Sequence, residues 1–185
     1  MSRRTPWPLA ALLIVALAAP PALGGKKQAR RLRRDVTSLA KKRPLDQLKA
    51  PKKGWVTAGG VIINPESRQV LLVRNRKEKR EGRSGWTWPK GRIDPGESPA
   101  KTARRESREE SGAKATVGPH LVTLKTKRAL RAYFLMLLDA DKGDYHRKET
   151  LEVKWVSLRR ARKMLDRGRD HEVLDAVGKT LADLE

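Results

Sequence analysis

The sequence predicts an α/β layered domain, and three observations support this prediction. Short runs of β-branched and apolar residues alternate with segments that have helical apolar spacing. The chain has 185 residues, enough for one domain of ordinary size and an extension. A basic stretch that contains two prolines precedes the first strand-like run, so we assign the folded domain to residues 54–185.

The first 24 residues have the layout of a secretory signal peptide or a membrane anchor. Two arginines precede the apolar run Leu9–Ala19, and small residues at positions 22–24 suit cleavage. Basic residues follow at Lys26–Arg34, and positive charge beside an apolar segment tends to stay on the cytoplasmic side. We expect an exported or membrane-anchored protein with membrane contact through residues 1–34. The alternative is a cytoplasmic protein.

Residues 25–53 are predicted to form a basic linker, with a short helix around Asp35–Lys42. Residues 1–53 hold 14 Lys and Arg against 2 Asp, so they carry +12 of the chain's net charge of +22. Such a charge favours polyanionic partners, although no nucleic-acid-binding motif is present. The chain has no Cys, which excludes disulfides and thiolate metal sites.

Five strands are predicted in the domain. Val61–Ile63 and Val70–Val73 are expected to pair as a hairpin, because Asn64-Pro65 supplies a turn between them. A charged loop is expected at Arg74–Ser84. The remaining strands are predicted at Leu121–Thr126, Ala132–Leu138 and Glu152–Val156.

Three helices are predicted from their capping residues and their apolar spacing. Ser98 is suited to the N-cap of the first helix, Pro99 to its first position and Gly112 to its end. The other two are expected to begin after the N-caps Ser157 and Asp170. A mixture of strands and helices on this scale predicts layers of helices packed on a sheet.

The first of these helices carries three glutamates on one face. Glu106, Glu109 and Glu110 stand at i, i+3 and i+4, within an arc of about 100°. Like charges so spaced repel, whereas a hard divalent cation would remove the repulsion and gain oxygen ligands. Carboxylates without Cys or His favour Mg²⁺ or Mn²⁺. The alternative is a solvated helix whose glutamates pair with neighbouring arginines.

The loop before this helix favours the metal site. Gly91, Pro95 and Gly96 make a tight turn into the helix N-terminus, where a backbone carbonyl could complete the metal coordination. Glu97 can reach Arg105 two turns along and brace the loop against the helix. Together these features predict a metal site on a rigid element.

This segment resembles the Nudix box, the signature of the Nudix hydrolases. The matching residues are Gly91, Glu97, Arg105, Glu106, Glu109, Glu110 and Gly112. The lead-in Trp88–Gly91 is also common in the family. Ser107 and Ala113 stand where the family has larger aliphatic residues, a departure that concerns the packing of the helix more than the chemistry, since no ligand is missing.

The resemblance implies a Nudix-type α/β/α sandwich with a mixed β-sheet. It also implies a hydrolase that cleaves a phosphoanhydride bond in a nucleoside diphosphate-linked or other polyphosphorylated small molecule, with Mg²⁺ or Mn²⁺. The pattern looks most like the branch that acts on dinucleoside polyphosphates and diphosphoinositol polyphosphates. The alternatives are a non-catalytic Nudix-fold binding module and a basic membrane-associated protein.

The resemblance further implies roles for individual residues. The three box glutamates are expected to bind the metal, with a main-chain oxygen of Lys90 or Gly91 as an additional ligand. Glu106 could act as the general base instead of a ligand. Glu149 and Glu152 are the candidates for a base outside the box, although we favour the role of ordinary surface carboxylate for each. The residues expected to contact substrate phosphates are Arg74, Arg76, Lys90 and Arg92. Trp86 and Tyr133 could stack on a base, but we favour the core for both.

Overall fold

The structure is a computed structural model that describes residues 25–42, 55–77, 82–125 and 130–184. The candidate signal or anchor at residues 1–24 lies outside the described residues. Four helices are found in the described part: α1 (Lys26–Lys42), α2 (Pro99–Ser111), α3 (Leu158–Met164) and α4 (Gly168–Ala182). Its seven strands are β1 (Trp55–Ile63), β2 (Val70–Asn75), β3 (Trp86–Thr87), β4 (Lys90–Arg92), β5 (Ala113–Lys125), β6 (Leu130–Asp141) and β7 (Thr150–Val156).

The strands form one mixed sheet. β1 runs parallel to β6, and the other pairs are antiparallel. β1 and β2 pair at Ile63 and Val70, as the predicted hairpin requires. Farther from that turn, β2 pairs with β3 and β1 pairs with β4. The segment from β3 to β4 therefore enters the middle of the sheet and brings Gly91 with it.

Two hydrophobic clusters cover opposite faces of the sheet, because successive side chains of a strand point to opposite sides. Leu71 and Val73 of β2 pack with α2 on one face. Leu72 packs on the other face with side chains from α1, α3 and α4. Helices on both faces of a mixed sheet confirm the predicted α/β/α sandwich.

Helix α2 begins and ends at the predicted residues. The Ser98 side chain accepts a hydrogen bond from the Lys101 backbone nitrogen, and Pro99 is the first helical residue. Gly112 ends the helix with a φ of 73° and donates its N–H to the Arg108 carbonyl. A Cβ at Gly112 would also lie 2.6 Å from the Asp144 nitrogen, so two constraints require glycine there.

Other elements differ from the prediction in extent. β3 and β4 lie outside every predicted strand, and β1, β5, β6 and β7 begin earlier than expected. Ser157 caps α3 by accepting from the Arg160 nitrogen, as predicted. The prediction of Asp170 as an N-cap is wrong, because α4 begins at Gly168 and Asp170 is buried in its first turn.

The predicted linker contains a longer helix than expected. α1 spans Lys26–Lys42 and buries Leu32 and Val36 in the core. A Cβ at Gly118 of β5 would lie 2.7 Å from Val36 Cγ1, so the helix packs closely on the sheet. Residues 26–42 are therefore part of a helical layer rather than a bare linker. Among the described helices, none is long and apolar enough to cross a membrane.

Candidate active site

Glu110 ties helix α2 to the middle of the sheet. Its side chain is buried, with Oε1 accepting from Asn75 Nδ2 at 3.0 Å and Oε2 accepting from the Lys90 backbone nitrogen at 2.9 Å. Burial is the main cause that raises the pKa of Glu110 to about 7. A carboxylate that accepts two bonds yet is poorly solvated is suited to bind a cation.

Glu106 lies directly over Gly91. A Cβ at Gly91 would stand 2.0 Å from the carboxyl carbon of Glu106, so only glycine leaves room for this carboxyl group. Burial raises the pKa of Glu106, and the negative charges of Glu109 and Glu149 add to the effect. Gly91 of the loop and Glu106, the first of the three box glutamates, therefore occupy one compact site.

The predicted contact between Glu97 and Arg105 is present. Arg105 Nε and Nη2 donate to the two oxygens of Glu97 at 3.2 and 2.9 Å, and Thr102 Oγ1 donates to Glu97 Oε2 at 2.6 Å. Arg105 Nη2 also donates to the Arg92 carbonyl at 2.9 Å. The Arg105 bond is the main cause that holds the pKa of Glu97 below its usual value. These bonds brace the loop against α2.

Arg105 also reaches the box carboxylates. Its Nη1 donates to Glu106 Oε1 at 2.6 Å and to Glu109 Oε2 at 3.2 Å. In the described part of the chain, no three acidic or histidine side chains are gathered closely enough to hold a metal ion. The oxygen donors nevertheless fit a hard cation, because Glu106 and Glu110 are buried and both have raised pKa values.

The two glutamates outside the box occupy different places. Glu149, just before β7, pairs with Lys77 Nζ at 2.8 Å, and its charge contributes to the raised pKa values of both buried box glutamates. Glu152 is the cross-strand partner of Arg74 on the face opposite α2, where its carboxylate contacts Arg74 and Lys154. Glu149 is therefore near enough for its charge to act on the box carboxylates, whereas the contacts of Glu152 lie on the opposite face of the sheet.

The four cations predicted to contact substrate phosphates are dispersed. Arg74 donates to the Ser84 carbonyl at 2.9 Å. Lys90 directs its Nζ to Thr87 Oγ1 at 3.2 Å, although its backbone nitrogen contacts Glu110. Arg76 and Arg92 are exposed. Trp86 and Tyr133 are in the core, as favoured.

Two residues near the site were missed by sequence reasoning. Asn75 is buried and donates a hydrogen bond to Glu110. The sequence feature that could have indicated this is the alternation of Leu71, Val73 and Asn75, which puts the amide on the face of β2 that packs with α2. Asp170 is buried beneath the β3–β4 segment and accepts from Thr87 Oγ1 at 3.3 Å. Burial raises the pKa of Asp170, and no local pattern indicated its place.

The fold and the site define a class of protein in which a glycine loop leads from the middle of a mixed sheet into a braced, glutamate-bearing helix. The family model of the NUDIX domain matches residues 53–177. The chain belongs to the Nudix hydrolase family, which acts on phosphoanhydride bonds of nucleoside diphosphate derivatives. The prediction of a pyrophosphohydrolase is confirmed at the level of the family.

Comparison with individual proteins gives more distant similarities. The chain is 29% identical over 123 residues to the CMP-5'-(N-acetyl-N-hydroxy-3-aminopropyl)phosphonate hydrolase of Streptomyces rubellomurinus, covering 64% of this chain and 60% of that protein. It is 53% identical over 36 residues to the asymmetrical bis(5'-nucleosyl)-tetraphosphatase of Mus musculus, covering 20% and 24%. Less than two thirds of either relative's length is spanned.

Among solved structures, the fold is similar to a C. elegans Ap4A hydrolase binary complex, with a TM-score of 0.56 and 26% identity. The match covers 69% of this chain and 97% of that one. The overall fold is therefore shared with a hydrolase of known structure.

Proposed function

We propose that residues 54–185 hydrolyse a phosphoanhydride bond of a polyphosphorylated small molecule with the help of a divalent cation. The observation that carries this proposal is a pair of buried carboxyl groups. The Glu106 carboxyl group lies over Gly91, and the Glu110 carboxyl group accepts a hydrogen bond from the Lys90 backbone nitrogen. Two acidic groups buried side by side are costly unless a proton or a cation neutralises them. A scaffold with no metal role would have little reason to keep both.

Glu106, Glu109 and Glu110 would hold the cation, which is Mg²⁺ or Mn²⁺ by the chemistry of an all-oxygen donor set. When bound, the cation would neutralise the phosphate charge that otherwise repels an attacking water. Arg105 contacts Glu106 and Glu109 at present. Cation binding would replace those two contacts, while the bonds from Arg105 to Glu97 would keep the loop in place.

Glu149 is our candidate for the group that accepts a proton from the attacking water. It lies outside the box helix but is close enough to influence the titration of Glu106 and Glu110. Its present partner, Lys77, is exposed, so this ion pair can exchange with solvent at little cost. Glu106 is the second candidate, because it lies next to the loop through which a phosphate would approach.

For the substrate we propose a dinucleoside polyphosphate or a diphosphoinositol polyphosphate. The Trp88–Gly91 lead-in supports this branch of the family. So do the similarities to proteins described as an Ap4A hydrolase and a bis(5'-nucleosyl)-tetraphosphatase. The high net charge of the chain would raise the local concentration of such anions.

The test is a phosphate-release assay on the full chain with Mg²⁺ or Mn²⁺ and a panel of nucleotides and inositol phosphates. Glu109→Gln and Glu110→Gln should each lower kcat by roughly 100-fold or more, because each removes a ligand charge but little volume. Glu172→Gln, an exposed carboxylate on α4, is the matched control and should leave kcat unchanged. Binding of the panel without hydrolysis would instead indicate a non-catalytic binding module.

A further inference from the structure

A cleft of about 640 Å³ lies on the outer side of helix α2, opposite the loop between β6 and β7. One wall is formed by Lys101, Arg104 and Arg108 of α2, and the other by Asp144 and His146 of the loop. Glu97, Arg105 and Glu109 also line it, so this cleft continues directly from the candidate active site. We call it the α2 cleft.

The three cations form a stripe along the helix. At about 100° per residue, Lys101, Arg104 and Arg108 fall within an arc of about 60°, and Glu109 follows about 80° from Lys101. All three cations are exposed, while Glu109 is half-buried at the border of the packed face. A group bound at the stripe would therefore lie beside the carboxylates rather than on a separate surface.

These cations differ from Arg105 in their pairing. Arg105 is engaged by Glu97, Glu106 and Glu109. Within the described residues, no carboxylate lies within ion-pair distance of Lys101, Arg104 or Arg108. Like charges three and four residues apart on a helix repel each other. An anionic ligand would remove that repulsion, and guanidinium groups can bind phosphate through two parallel hydrogen bonds.

The opposite wall is attached to the end of α2. The His146 backbone nitrogen donates to the Glu109 carbonyl at 2.8 Å, and the Lys142 nitrogen donates to the Gly112 carbonyl at 3.4 Å. The close approach of Asp144 to Gly112 adds a steric contact. The two walls are thus held at a set separation, which favours a bound ligand over a loose counterion atmosphere.

We propose that the α2 cleft binds a phosphate group of the substrate that lies beyond the two phosphates of the cleaved bond. This inference rests on the proposed function and adds a requirement to it. Substrates with more than two phosphate groups would use both the carboxylate site and the stripe, whereas a substrate with two phosphates would use only the carboxylate site. The stripe would therefore make this enzyme selective for polyphosphates of greater length or number.

The experiment compares a dinucleoside tetraphosphate with ADP-ribose as substrates of the full chain. One variant combines Lys101→Gln, Arg104→Gln and Arg108→Gln. The control combines Arg159→Gln, Arg160→Gln and Lys163→Gln, which removes the same charge from exposed residues of α3 on the opposite helical layer. We expect the α2 variant to raise KM for the tetraphosphate by roughly tenfold or more, with kcat and the ADP-ribose reaction changed less than about twofold.

An unchanged KM for the tetraphosphate would overturn the inference. So would an equal rise in the α3 control, which would assign the effect to net charge, or an equal loss with both substrates. Titration calorimetry with inorganic tripolyphosphate supplies a readout that needs no turnover. Binding that is lost in the α2 variant but kept in the control supports the cleft, and equal binding in all three proteins overturns it. If the wild type hydrolyses neither substrate, the proposed function fails, and the tripolyphosphate result alone decides the cleft.

Discussion

Burial makes the negative charge of Glu110 unfavourable in the folded protein. Its pKa is raised from the usual 4.5 to about 7, mainly by burial. A raised carboxyl pKa means that the folded state binds the proton more tightly than the unfolded state does. The contribution of protonated Glu110 to the free energy of unfolding is therefore fully present below pH 4.5 and is lost as pH rises through about 7.

We expect the free energy of unfolding of the chelator-treated protein to fall between pH 4.5 and about 7, with a contribution from Glu110 of about 3 kcal/mol. Denaturant midpoints at several pH values measure this. Glu110→Gln should remove that part of the slope, leaving the contributions of Glu106 and Asp170, whose pKa values are also raised. Mg²⁺ should recover stability in the wild type at pH 8 more than at pH 5. A variant with the same slope as the wild type would contradict the assignment.

Gly91 is a second residue of the site that its surroundings constrain, because there is no space for a side chain at this position. Gly91→Ala would bring a methyl group to 2.0 Å from the Glu106 carboxyl carbon, so that the carboxyl group or the loop must move. We expect a destabilisation of about 1–3 kcal/mol, typical of overpacking, and a loss of kcat/KM of at least about tenfold.

The control is Gly178→Ala in α4, where no heavy atom would lie within 4 Å of the new Cβ. This substitution should leave activity intact and raise helix stability by about 0.5–1 kcal/mol. Thermal unfolding and initial rates on both variants separate the effect of the site from the general effect of replacing glycine. Wild-type kinetics for Gly91→Ala would show that the loop tolerates displacement.

At the scale of single elements, α1 changes an expectation about the N-terminal extension. Because residues 1–53 precede β1 and contain no box residue, the sequence predicts that they are dispensable for catalysis. The structure buries Ala29, Leu32 and Val36 of α1 against the sheet. Arg33 adds a bond to Asp139 at 3.0 Å. α1 contains no candidate catalytic residue, but its removal would expose part of the hydrophobic core.

A chain that begins at Gly25 should therefore have the stability and activity of the full chain. A chain that begins at Lys53 should be less stable by roughly 3–6 kcal/mol, because burial of one Leu and one Val contributes about 1.5–3 kcal/mol each. Chemical denaturation of the two chains makes this comparison. Equal midpoints would show that α1 contributes nothing and that residues 25–53 are a linker as first predicted.

The elements also show which structural features can be predicted from sequence. α2 was predictable to its ends because Ser98, Pro99 and Gly112 act through bonds within a few residues. β3 and β4 were not, because strands of two and three residues have too few positions to show a period. α1 was underestimated because basic residues surround its few apolar ones, and only the sheet surface beside Gly118 explains their burial.

In the candidate site as well, contacts within one segment could be predicted from sequence and contacts between distant segments could not. The brace between Glu97 and Arg105 was predictable, because both lie on one continuous segment. Asn75 and Asp170 were not, since their partners come from segments 35 and 83 residues away in the chain. Glu149 and Glu152 could not be distinguished by sequence, because the pairing of Glu152 with Arg74 and the position of Glu149 just before β7 both depend on where β7 begins and how it pairs with β2.

At the scale of the whole molecule, the charge and the N-terminal segment raise the question of location. We predict export, with cleavage after the small residues at positions 22–24 and a mature chain that begins near Gly25. α1 begins at Lys26, so this cleavage would leave the packed helix complete. N-terminal sequencing of the protein from its native host tests this. An intact terminus on membrane-bound protein would favour an anchor, and an intact terminus on soluble cytosolic protein would end the export hypothesis.

The packing of α1 on β5 has a consequence for the order of events during synthesis. Val36 contacts Gly118, which lies about 80 residues farther along the chain, and domains form as their segments emerge from the ribosome. α1 therefore leaves the ribosome well before the surface that will hold it has been made. During that interval the basic helix and the apolar run before it are accessible to targeting factors, so the destination of the protein can be decided before its active site exists.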